Sequence, residues 1–141
     1  FVLNALNLQK KSNIKKNLQF LIYYKKHKNK LSLYPIKFVR NLIKLNFKIL
    51  VIGDKLKIPG VKNLGYLNRK KLKQLLLKSK YAILSNENIY SFFAIECLNS
   101  NMKLITNNSL NHIDKKLKEK FIYFNPKKIN KLRIKEFSKN I

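Results

Sequence analysis

The chain has 141 residues, with 32 Lys+Arg against 6 Asp+Glu and a formal net charge of +26. Apolar residues make up 45%, too many for a charged disordered tail, and the single Cys excludes an internal disulfide framework and a Cys-rich zinc site. The length suits one domain, and no apolar run approaches the roughly 18 residues that a membrane span needs.

Two readings of the charge stay open. One is an anionic partner such as nucleic acid, phosphate or a membrane surface. The other is codon bias. Arg occurs only as Arg40, Arg69 and Arg133, and Lys, Asn and Ile, all plentiful here, share AT-rich codons. Bias accounts less well for the scarcity of Asp and Glu, so an anionic surface remains a candidate partner.

In chain order, Leu18–Tyr24 is a short apolar run of β-formers and reads as a buried strand. It ends in the basic turn Lys25–Lys30, which also holds His27. Pro35 suits a first helical turn, and Ile36, Val39, Leu42, Ile43 and Leu45 follow at helical spacing. Phe47–Ile52 is a second buried strand closed by Gly53, and Asp54–Gly60 is loop. Lys62–Leu67 is a short third strand. Asn68 is placed to cap a helix over Arg69–Lys78, with Leu72, Leu75 and Leu76 as its apolar stripe. Tyr81–Leu84 is a fourth strand and Ser85–Tyr90 a polar turn. Ser91–Asn99 reads as a helix with Phe92, Phe93, Ile95 and Leu98 facing inward. Met102–Ile105 is a strand, 112–119 a short helix beginning at His112, and Phe121–Phe124 a strand. A last helix is expected from Pro126 onward.

Strands alternate with helices, and several strands are apolar throughout. This predicts an α/β fold: a doubly wound, Rossmann-like parallel sheet of about six strands, covered by helices on both faces. Right-handed crossovers give the order 3-2-1-4-5-6, with a crevice beyond the carboxyl ends of strands one and four. Those ends are the Lys25–Lys30 and Ser85–Ser91 turns.

The two turns hold the candidate chemistry. The first N–H groups of the helix around Ser91, Phe92 and Phe93 would form an anion site suited to phosphate. Glu87 would lie at the crevice mouth and Glu96 one to two turns into the helix. Carboxylates beside a phosphate suit the hydroxyls of a sugar or ribose. Lys25 and Lys30, five residues apart, could clamp a diphosphate. The plain alternatives are a solvated basic loop and two solvated glutamates. His27 reads as an exposed loop residue, and Cys97, on a mostly apolar helix, as a small core residue. No glycine-rich dinucleotide or P-loop fingerprint, metal-ligand spacing or hydrolase elbow is present, so neither a metal nor a resident cofactor is expected.

Together these segments resemble the C-terminal, nucleotide-sugar-binding domain of GT-B-fold retaining glycosyltransferases of the group-1 type. Leu64-Gly65-Tyr66-Leu67 followed by Arg69–Ser79 is similar to that family's "LG" strand and its following helix. Tyr81–Glu87 followed by Phe93–Leu98 is similar to its paired-glutamate segment, and Lys103–Thr106 to its next strand. Lys25 and Lys30 match the spacing of an Arg and a Lys. Val2-Leu3-Asn4-Ala5 resembles its hinge strand. Three features depart from the pattern. Eight residues (88–95) separate Glu87 from Glu96, one more than usual. Lys25 stands where Arg is expected. Asn88, Ile89 and Tyr90 fill a region that usually holds Gly.

The resemblance implies a hinge or linker over 1–17, following an N-terminal domain, and a donor-binding domain over 18–141. Phe1 in place of Met fits such a fragment or processed product, which alone would be inactive. It also implies that Lys25 and Lys30 contact the donor diphosphate and that N–H groups at Ser91, Phe92 and Phe93 take the distal phosphate. Glu87 would serve the transferred sugar as the catalytic-site residue, and Glu96 the ribose. The partners would be a nucleotide diphosphate sugar and a glycan or lipid-linked acceptor. The location would be the cytoplasm, and the Lys excess fits loose peripheral attachment to an anionic membrane at its inner face. The rivals are a degenerate, non-catalytic glycosyltransferase domain and a basic nucleic-acid-binding module. The latter is opposed by the lack of a standard motif and by lysines spread over every helix, so no nucleic-acid partner is expected.

Overall fold

The computed structural model describes residues 15–26, 36–85, 92–106 and 115–123. Six strands form one sheet: β1 (Asn17–Tyr24), β2 (Lys48–Gly53), β3 (Lys62–Gly65), β4 (Ser79–Ile83), β5 (Lys103–Thr106) and β6 (Phe121–Tyr123). Every pairing is parallel, and the order is β3-β2-β1-β4-β5-β6. The expected order is therefore the observed one. Helices α1 (Ile36–Lys44), α2 (Arg69–Lys78), α3 (Phe92–Asn99) and α4 (Lys115–Lys118) connect the strands.

The layering follows from the alternation of side chains along β1. Phe20, Ile22 and Tyr24 point to one face, where Phe38, Val39 and Leu42 of α1 cover them. Leu21 points to the other face, where Leu76 of α2, Ala94, Cys97 and Leu98 of α3 and Leu117 of α4 gather. From β1 to β3 the chain steps one way across the sheet, and from β3 to β6 it steps the other way. Right-handed crossovers must then put α1 on one face and α2, α3 and α4 on the opposite one, as found. The core strands are buried on both faces, which is why they read as unbroken apolar runs.

Three Asn residues mark helix ends. Asn68 caps α2: its Oδ1 accepts from the Lys71 N–H at 2.8 Å. Asn68→Ala should lower stability by about 1 kcal/mol, read as a small fall in the denaturant midpoint with unchanged slope. Asn46 and Asn101 have left-handed backbones, with φ of 65° and 59°. Each ends a helix in a Schellman motif. Asn46 N–H donates to Ile43 O and Phe47 N–H to Leu42 O; Asn101 N–H donates to Leu98 O and Met102 N–H to Cys97 O. In a chain with only three Gly, Asn supplies these turns.

The structure alters some expected details. β4 begins at Ser79, two residues before the expected start. Phe92, expected inward, is 89% exposed. The buried face of α3 is Ala94, Cys97 and Leu98, at i, i+3 and i+4, and Phe92 lies two residues ahead of Ala94, on the far side of the helix. Asn17 already belongs to β1, and Lys16 is hydrogen-bonded into the domain, so the expected linker 1–17 ends inside the fold. The expected helix from Pro126 lies outside the described residues. Among the described residues, no helix is long and apolar enough to cross a membrane.

Candidate functional site

The winding of the chain switches between β1 and β4, so α1 and α3 leave their strands on opposite faces and a crevice opens beyond the two carboxyl ends. Lys25 follows directly after β1, and Phe93 lies in the first turn of α3. Tyr23 joins them: its ring centroid is 5.4 Å from that of Phe93, and the Lys25 Nζ lies 5.7 Å from the Tyr23 centroid. The ammonium thus sits over an aromatic face, a contact that holds it beside Tyr23. Among the described residues, the first turn of α3 carries no acidic side chain.

A second set of groups extends the site over β2 and β3. Gly53 ends β2 with φ +98°, and a Cβ there would lie 2.4 Å from Tyr24 O. This close approach lets Asp54 N–H donate to Tyr24 O at 2.8 Å. The Asp54 carboxylate then accepts from Lys26 N–H at 2.8 Å and from the Tyr66 hydroxyl at 2.9 Å. The hydrogen bond to Asp54 raises the Tyr66 hydroxyl above its usual range. Asp54 therefore ties together the chain just beyond three adjacent strand ends and fixes the start of the basic turn. The sequence reading placed Asp54 in an unremarked loop. Its partners are distant in sequence, and the Gly-Asp pair closing a buried strand was the only local signal.

Glu96 stands apart from Lys25. It lines a cleft of about 340 Å³ between α2 and α3, with Arg69, Lys73, Leu76, Leu77, Asn99 and Ser100. Both helices start at the carboxyl end of the sheet and run parallel to each other. At 1.5 Å rise per residue, Arg69 lies at the upper end of the cleft, Lys73 and Glu96 about one turn lower, and Leu77 and Asn99 at the bottom. Phe92, four residues before Glu96, continues the same helical stripe to the cleft's upper end. The cleft's size falls in the range of small-molecule sites, and its two cations beside a carboxylate and a carboxamide suit a ligand bearing both an anion and hydroxyls. Arg69, Lys73 and Asn99 were not singled out from the sequence, although their spacing marks shared faces.

Lys25, Phe92, Phe93 and Glu96 are thus placed. Lys30, Glu87, Ser91, His27 and His112 lie outside the described residues. Cys97 is fully buried, and burial pushes its thiol well above the ordinary value, which suits a core residue and not a nucleophile. Among the described residues, no group of three His, Cys, Asp or Glu could hold a metal ion. No protein-family model matches the chain, and a search of curated proteins finds no match. The class defined by the structure is therefore that of the fold alone, a Rossmann-like α/β domain with a switch-point crevice.

Proposed function

We propose that the chain is the donor-binding domain of a glycosyltransferase and holds a nucleotide diphosphate sugar at the switch-point crevice. The observation that carries this reading is the meeting of Lys25 and Phe93 across Tyr23, where the strand order reverses. Lys25, with the opening N–H groups of α3, would take the diphosphate. Glu96, one turn deeper in the α2–α3 cleft, would accept hydrogen bonds from ribose hydroxyls. The resemblance adds Lys30 at the diphosphate and Glu87 at the transferred sugar.

On this reading the chain acts by binding the leaving diphosphate more strongly as its negative charge develops. The acceptor, a glycan or lipid-linked sugar, meets the donor across the crevice, and transfer retains the anomeric configuration. The setting is the cytoplasm.

Calorimetric titration with UDP and GDP tests the assignment. Lys25→Ala is expected to weaken nucleotide diphosphate binding roughly tenfold, and Glu96→Ala at least as much, while Lys37→Ala on the exposed side of α1 changes nothing. Wild-type binding that survives unchanged in both Lys25→Ala and Glu96→Ala would remove these residues from the site and defeat the reading.

A further inference from the structure

The lysines that look scattered in the sequence converge in the fold. Each of the six strands has a lysine within two residues of its start: Lys15, Lys48, Lys62, Lys80, Lys103 and Lys120. The strands are parallel, so all six lie along one edge of the sheet, opposite the crevice. Five gaps of about 4.8 Å make this line about 24 Å wide. Each helix ends just before the next strand begins, so Lys44 of α1 and Lys78 of α2 widen the line into a patch on both faces. Lys15, Lys48, Lys62 and Lys103 are exposed. Lys80 is lowered by burial and then by the neighbouring Lys103, as closely spaced cations should be. Of the acidic residues described, Asp54 and Glu96 lie elsewhere, and Glu119 alone is near this edge.

We propose that this amino edge of the sheet is a peripheral docking surface for an anionic lipid bilayer. Three observations favour a bilayer over nucleic acid. First, the cations are lysines, compact point charges suited to a diffuse anionic surface; neither described arginine, Arg40 in α1 nor Arg69 at the start of α2, lies at this edge. Second, the two exposed large hydrophobic residues among those described, Tyr66 and Phe92, lie at the opposite end, so the edge has no aromatic platform for bases. Third, helix C-termini face the edge, whereas helix N-termini are the ends that grip individual phosphates. Docking in this way leaves the crevice facing away from the bilayer and open. The proposal does not depend on what the crevice binds.

Each lysine near an anionic surface contributes about fivefold to partitioning, so three are worth roughly 100-fold. In co-sedimentation, the chain should bind vesicles of phosphatidylserine and phosphatidylcholine at about 0.1 M salt, not vesicles of phosphatidylcholine alone, and should be released at about 0.5 M. The triple variant Lys48→Gln, Lys62→Gln, Lys103→Gln should lose roughly 100-fold. The control triple Lys37→Gln, Lys55→Gln, Lys57→Gln removes the same charge from exposed positions elsewhere and should lose far less. Acylation footprinting of the wild-type chain gives an answer that needs no variant: vesicles should protect Lys48, Lys62 and Lys103 but not Lys37, Lys55 or Lys57. Equal losses in the two triples, uniform protection, absence of binding, or tighter binding of a mixed-sequence oligonucleotide that displaces the vesicles would each overturn the proposal.

Discussion

Lys16→Met is expected to destabilise the domain by about 2–3 kcal/mol, a large effect for one lysine in a chain so rich in them. The three N–H groups of the Lys16 ammonium are shared among Leu76 O, Leu77 O, Ser79 O and Ser100 O, at 3.1, 2.9, 3.0 and 2.7 Å. Leu76 and Leu77 lie in the last turn of α2, and Ser100 follows α3, so a single cation meets the negative ends of two helix dipoles. Met keeps the apolar stem and removes the ammonium from these carbonyls, of which Leu76 O keeps the Ser79 N–H. The site is only half-buried, so water recovers part of the loss, and the figure stays below the sum of the three charged hydrogen bonds an ammonium can make. Leu76, Leu77 and Ser100 also line the α2–α3 cleft, so the variant should also loosen the helix that presents Glu96.

The pH dependence of this variant has a definite sign. Burial lowers Lys16 from 10.5 to about 8, with smaller opposing and reinforcing effects from Cys97 and Lys120. Below about 8 the residue is protonated in both folded and unfolded chains. Between about 8 and 10.5 the unfolded chain holds more protons, so raising the pH adds stability to the wild type and none to Lys16→Met. The difference between the two proteins should therefore widen over that window in denaturant titrations. A difference that narrows would mean that the folded site does not lower the Lys16 ammonium.

Gly53→Ala should be as damaging, by about 2–4 kcal/mol. The residue needs a left-handed backbone, and the added Cβ would meet the Tyr24 carbonyl oxygen at 2.4 Å. That oxygen belongs to the neighbouring strand at paired register, so neither atom can move without parting β1 from β2. The Asp54 N–H bond to Tyr24 O would break, and with it the seat of Asp54, Lys26 and Tyr66. The variant should melt at lower temperature and, on the proposed function, bind nucleotide more weakly even when folded. A Gly53→Ala protein with wild-type stability would show that the β1–β2 end is looser than this geometry requires.

The sheet was legible because the buried parallel strands read as apolar runs between charged segments, and crossover handedness then left one order. Asn68 was legible because a cap acts over three residues. The Schellman turns at Asn46 and Asn101 were not read, because Asn stands where Gly usually marks the left-handed position. Phe92 was misplaced because two adjacent aromatics cannot both face the core of a short helix, and the smaller Ala94 and Cys97 set the buried face. Asp54 and Lys16 act through partners 28 and up to 84 residues away, which no local pattern reports. The charge illustrates the same limit: spacing along the chain made it look diffuse, and only the parallel register gathers six lysines at one edge.

The central claim is that a nucleotide diphosphate binds at the carboxyl end of the sheet. Amide chemical-shift mapping during titration with UDP tests it most directly. Saturable binding is expected, with shifts at Tyr23, Lys25, Gly53 and Phe93 around the crevice and at Glu96 in the adjoining cleft. Shifts confined to the lysines of the amino edge, or no shifts at millimolar nucleotide, would contradict it.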